Sequence, residues 1–184
     1  MRNALLLCLA ALLWGCSSTG NYGQESPYYR YPGENRLVLN HALEIPANWA
    51  TARLQAGRVV PFGHVQEHAP HCIFEINTVS EMPQRVEPDT FTIVRVGWQI
   101  SPIAARSGFV PAFFYADEGS FTQMFYKTIF TLRSERQPGV RQLTCQSDQY
   151  AAGIAIPRYL SVPEIRQALG GIFTLELGDT RQRL

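Results

Sequence analysis

The sequence predicts a mainly β protein, a single antiparallel sandwich or partly open barrel with one short C-terminal helix. Three observations predict it. Apolar residues recur at every second position along several segments, turn residues separate those segments, and only one stretch carries helix start and stop signals. The length of 184 residues fits one domain, and a hydrophobic fraction of 46% is enough for one core.

The elements follow in order. In residues 36–45, Leu37, Leu39, Leu43 and Ile45 share one parity, with Val38, Asn40 and Glu44 on the other. His41 falls on the apolar parity of that run, where a lone histidine is ordinarily a hydrogen-bonded structural residue. Cys72, Phe74 and Ile76 oppose Glu75 and Asn77, and Thr92, Val94, Val96 and Trp98 oppose Arg95 and Gly97. Met124, Tyr126, Phe130 and Leu132 line one face of a long run. Leu143 and Cys145 oppose Gln142, Thr144 and Gln146, and Phe173, Leu175 and Leu177 oppose Thr174 and Glu176. This is the pattern of half-buried strands, six or seven of them. Gln137-Pro138-Gly139 has the order of a type II turn, so residues 121–133 and 140–147 are expected to pair as a hairpin. Ser161-Val-Pro-Glu164 reads as a capping box, Ile165 and Leu169 lie four apart, and Gly170-Gly171 supplies the stop.

The N-terminus is an address. Arg2 precedes an uncharged apolar run from Ala4 to Trp14. That run is far short of the ~20 residues a spanning helix needs, and the pattern is that of a secretory signal. Leu13-Trp14-Gly15-Cys16-Ser17 follows, and it resembles the lipobox of bacterial lipoproteins on Leu13, Gly15 and Cys16. The resemblance implies a signal peptide over residues 1–15, a triacylated Cys16 as the mature N-terminus, and, from Ser17, sorting to the outer membrane facing the periplasm. Acyl chains in that number anchor a protein without a transmembrane helix. Residues 16–35, rich in Ser, Gly, Pro and Tyr, read as a flexible tether, and residues 36–184 as the periplasmic β domain. Tyr28, Tyr29 and Tyr31 around Arg30 are either a small contact patch or part of a solvated linker.

Charge narrows the partners. The net charge is +1, and losing Arg2 with the signal leaves the basic side chains equal in number to the 15 acidic ones. That argues against nucleic acid as a partner and against electrostatic attraction to anionic headgroups. Of the four cysteines, Cys8 leaves with the signal and Cys16 takes lipid. Cys72 and Cys145 remain, an even number in an exported chain, and read as one disulfide rather than a nucleophile or metal pair.

Chemistry is sparse. His64-Val-Gln-Glu67-His68-Ala-Pro-His71 gathers three imidazoles, so His64, His68 and His71 are the candidate metal ligands. Pro61, Gly63 and Pro70 around the segment disfavour a helix, and a solvated loop entering the Cys72 strand is the stronger reading. Glu81, Glu87, Asp117 and Glu118 sit in turns with nothing to fix their separation. There is no GxSxG, phosphate loop or Cys/His nucleophile pattern, so the sequence leans away from an enzyme and implies no catalytic residue and no cofactor. The aromatic segment with Phe109, Phe113, Phe114 and Tyr115, interrupted by Pro111, either folds over the sheet or marks a partner contact.

The body also resembles small uncharacterised proteobacterial lipoproteins, on Arg36-Leu-Val-Leu-Asn40, Pro70-His-Cys-Ile-Phe74 and the stretch from Leu160 to Leu175. That likeness carries no activity with it. The expected function is therefore a non-enzymatic interaction or accessory module of the envelope, with an unknown envelope protein as partner. The alternative is a binder of lipid or another small apolar ligand, and a histidine metal site ranks third.

Overall fold

The computed structural model describes residues 22–102, 123–150 and 157–178. Cys16 with its signal, and Phe109, Phe113, Phe114 and Tyr115, lie outside the described residues. The strands are β1 (Arg36–Leu39), β2 (Leu43–Ile45), β3 (Thr51–Gln55), β4 (Arg58–Val60), β5 (His71–Ile76), β6 (Gln84–Val86), β7 (Asp89–Pro102), β8 (Gln123–Arg133), β9 (Val140–Tyr150) and β10 (Phe173–Glu176), with helix α1 at Val162–Leu169. Eight strands form one antiparallel sheet in the order β10-β1-β7-β8-β9-β5-β3-β4, curled into a half-barrel, and β2 pairs with β6 beside it. This is the partly open barrel of the two expected architectures, with more strands than the alternation alone separated. Among the described residues no helix is long and apolar enough to cross a membrane.

The inner parity of the sheet is apolar because the hydrophobic residues fall at every second position. Leu37, Leu54, Cys72, Phe74, Phe91, Phe130, Leu143, Cys145 and Phe173 are all buried on the concave side, and Phe74 meets Phe173 at 5.1 Å and Phe91 at 6.0 Å between ring centroids. Helix α1 packs against β10 near one end of the curled sheet and against β3 and β5 near the other, so it bridges the opening. Its inward residues Val162, Ile165, Ala168 and Leu169 complete the core. The expected disulfide is present: Cys72 and Cys145 stand directly opposite on β5 and β9, 4.0 Å apart at Cα and 73 residues apart in sequence.

Several local expectations are corrected. The run over residues 36–45 is two strands, and His41 sits exposed in the break between them rather than facing the core. On β7 the buried residues are Phe91 and Ile93, not Thr92 and Val94. A bulge between Ile93 and Arg95 inserts one residue, and only beyond it does Val96 come opposite the buried Phe130. The β8–β9 hairpin forms as expected, its turn closed by Val140 N–H donating to Gln137 O at 3.1 Å. Gly139 is not among the residues of positive φ, so the turn lacks the conformation that defines type II. The segment read as a tether is docked over part of its length. Tyr29 and Tyr31 pack on the core, Tyr31 meets Phe130 edge-on at 5.1 Å, Val162 N–H donates to Gln24 O at 3.1 Å, and Asn35 is buried.

The capping box forms around Glu164. Its carboxylate accepts from the Ser161 N–H and hydroxyl, each at 2.8 Å, and from the Arg158 guanidinium at 2.6 and 2.7 Å. The Arg158 hydrogen bonds, with those from Ser161, hold the carboxyl at about 2 against the burial that raises it. A depressed carboxyl stabilises the fold above its unfolded pKa, and that contribution is lost as pH falls through the folded one. We therefore expect this latch to weaken from about pH 4.5 down to about pH 2. Glu164→Gln should remove about 1 kcal/mol at pH 6, a figure reduced for solvent screening, and much less at pH 2.5. Urea unfolding at the two pH values checks it, and an equal loss at both would assign the effect to packing instead.

Candidate functional site

β4, one of the two edge strands of the sheet, has a pairing partner on one side only, β3. It is three residues long and ends at Pro61, which has no N–H to continue a ladder. His64 N–H donates to Pro61 O at 3.1 Å, and Gly63 takes φ +82°, a conformation the turn needs and side chains resist. This turn swings Phe62 back toward Trp49, which the loop after β2 presents. Trp49 N–H donates to Pro46 O at 3.2 Å, and Gln84 Nε2 donates to Trp49 O at 3.3 Å. The two rings meet at 4.5 Å between centroids, and both stay accessible, Trp49 at 36% and Phe62 at 58%, beside Val59 at 47%.

Arg53, on the outward parity of β3, lies against them. Its guanidinium carbon is 4.6 Å from the Phe62 ring centre and 5.6 Å from that of Trp49. Such contacts keep the guanidinium plane oriented while leaving its N–H edges free. These side chains wall a cavity of about 160 Å³ that Pro46, Thr51, Val60 and Pro61 complete. Burial lowers the Arg53 pKa, with the charge of Glu67 acting in the opposite direction. On the other flank of β4 lies a larger cavity of about 460 Å³, bordered by Gln55, Arg58, His64, Gln66 and Gln167. Its amides and guanidinium offer hydrogen bonds to a polar group, with Ala56, Ala69 and Ala168 as the apolar part of the wall.

The histidine segment folds over the outer face of the sheet. Gln55 and Gln66 exchange two hydrogen bonds, Gln55 Nε2 to Gln66 O at 2.8 Å and Gln66 N–H to Gln55 Oε1 at 3.0 Å. Asp148 N–H donates to Glu67 O at 2.7 Å. His71 is sealed beneath this loop. Its Nδ1–H donates to Ala69 O at 3.0 Å, which makes Nε2 the acceptor for the Gln146 amide at 3.1 Å in the neutral ring. Burial lowers the His71 pKa, outweighing the Ala69 hydrogen bond and the charges of Glu67 and Asp148 that raise it. His68, at the surface, places Nδ1 3.3 Å from the buried Asp148 Oδ2. Burial raises the Asp148 pKa, while His68 and His71 pull it down.

The three histidines thus occupy different settings: His71 in the interior, His68 on Asp148, and His64 beside the larger cavity. Among the described residues no group of three or more His, Cys, Asp or Glu is arranged to hold a metal ion. What the cluster does is fasten residues 61–70 to β5 and β9, and so fix Phe62 in place.

Trp49, Arg53, Val59 and Phe62 carry no mark in the sequence analysis. They come from two strands and two connecting segments, and meet only because β3 and β4 pair and Pro61 ends the strand. The available signal was an arginine on an outward strand position between an isolated Trp and a Pro-Phe-Gly turn. Comparison of the chain with protein-family models, with curated proteins and with solved structures found no match.

Proposed function

We propose that the chain is an outer-membrane lipoprotein, anchored through Cys16 and facing the periplasm, that acts as a non-enzymatic interaction module of the cell envelope. Its partner docks at the open β4 edge. One observation carries the reading. The Trp49–Phe62 pair and Val59 stand accessible beside a strand with no outer partner, and exposed aromatics on an open sheet edge are the usual ingredients of protein capture. Phe109, Phe113, Phe114 and Tyr115 make a second candidate contact.

In-cell crosslinking of the full-length chain followed by affinity capture and mass spectrometry tests this, with Cys16→Ala as the anchoring control. The Trp49→Ser/Phe62→Ser variant should lose the captured envelope protein while staying folded. Loss of two central aromatics costs about 2 kcal/mol or more, roughly a thirtyfold weaker complex. Capture unchanged in this variant but lost in Phe113→Ser/Phe114→Ser moves the contact to the second segment. Capture unchanged in both removes the interaction reading.

A further inference from the structure

We infer that the small cavity at Arg53 receives an acidic side chain from an extended segment of the partner, a segment that lies along the sheet edge where β4 stops. The inference rests on the proposed interaction role and adds the chemistry of what is bound.

The size of the cavity comes first. About 160 Å³ is well below the roughly 300–1,000 Å³ of sites that enclose small molecules, so it suits one side chain and not a whole metabolite. Charge comes second. Among the described residues Arg53 makes no ion pair, and its side chain donates one long hydrogen bond, to Thr51 Oγ1 at 3.4 Å. A guanidinium carries five N–H donors in a rigid fork that matches a carboxylate. Here that fork is partly desolvated and its central carbon already rests 4.6 Å from the Phe62 ring centre, so a carboxylate arriving at it meets a positioned partner. A single cation beside two aromatic rings matches a single negative charge, whereas phosphate groups draw on several donors at once.

Backbone geometry supplies the third argument. β4 pairs with β3 only at Arg53, Leu54 and Gln55, while β3 continues to Thr51 and Ala52. On their β4 side Thr51 and Ala52 have no ladder partner, because Pro61 turns the chain away. An incoming strand can take up the track that β4 leaves and bring alternate side chains to the Arg53 side. The apolar walls favour valine-like or isoleucine-like neighbours around the acidic residue.

The probe is a displayed library of random linear heptapeptides, panned against the full-length chain in detergent and against Arg53→Gln and Arg53→Lys. The wild type should enrich sequences with Glu or Asp between apolar residues. For a selected peptide, changing its Glu to Gln should weaken binding at least tenfold on the wild type. Arg53→Gln should weaken the Glu peptide to the same extent and leave the Gln peptide unchanged, with Arg53→Lys intermediate. No acidic enrichment overturns the inference, and so does equal loss of both peptides in Arg53→Gln. Self-association of the chain that Trp49→Ser abolishes and the peptides do not displace would make a second copy the occupant, which also overturns it. Envelope-protein capture lost in Trp49→Ser/Phe62→Ser but retained in Arg53→Gln sinks the acidic segment alone and leaves the interaction role standing.

Discussion

Replacing Cys72 and Cys145 together by alanine is expected to lower the unfolding free energy by about 4 kcal/mol. The two residues face each other across β5 and β9, both fully buried, and their bond closes a loop of 73 residues. On the chain-entropy account a loop of that length removes about 4 kcal/mol of freedom from the unfolded state. Position adds to it. β5 and β9 join the β3–β4 edge to the long β7–β8–β9 ribbon, so the bond ties that edge to the part of the sheet with most of the pairing. For a domain with a typical stability of about 5–15 kcal/mol, the loss leaves a marginal fold. Urea unfolding of the wild type, oxidised and reduced, beside the double variant measures it. Coincident midpoints for all three would mean that the β-ladder alone carries the stability.

How much of this was legible follows from what alternation can and cannot encode. Phe74, Phe173 and Leu175 were readable as core because a strand places every second residue on one face, and Cys72 and Cys145 fell on that parity in both of their strands. Ser161 and Glu164 were readable because a cap is a local hydrogen-bonding problem solved within four residues. β7 was misread at Thr92 and Val94 because a bulge between Ile93 and Arg95 shifts parity by one without any residue that announces it. His71 sits on an outward position that alternation leaves solvated, yet the loop over residues 61–70 covers it, and a covering loop has no period. The Arg53 site was invisible for a related reason. Trp49, Arg53 and Phe62 are not spaced by any repeat, and their meeting depends on where β4 ends.

Gly170→Ala is expected to cost about 3 kcal/mol or more, from backbone strain and overpacking together. Gly170 ends α1 at φ 55° and ψ −136°, a conformation comfortable only without a Cβ. A Cβ built there would come within 2.2 Å of the Gly57 Cα, which is backbone and cannot rotate aside. Gly57 is fixed in turn, at φ 74° in the β3–β4 turn, with its N–H donating to Ala168 O at 3.0 Å. The added methyl must therefore push the helix end away from the hairpin, and the helix is the element that bridges the half-barrel. Displacing it opens the packing of Ala168 and Leu169 and loosens β3 and β4, the strands that hold Arg53 and Val59. Gly171→Ala is the control, since a Cβ at that position meets nothing within 4 Å. Thermal unfolding of both variants separates the cases: a large drop for Gly170→Ala with little change for Gly171→Ala is expected, and equal small changes would show that the helix and hairpin do not approach so closely. If partner capture also falls in Gly170→Ala at temperatures where the variant remains folded, the β3–β4 edge must be held by the helix to bind, because residue 170 itself is far from the aromatic surface in sequence and belongs to a different element.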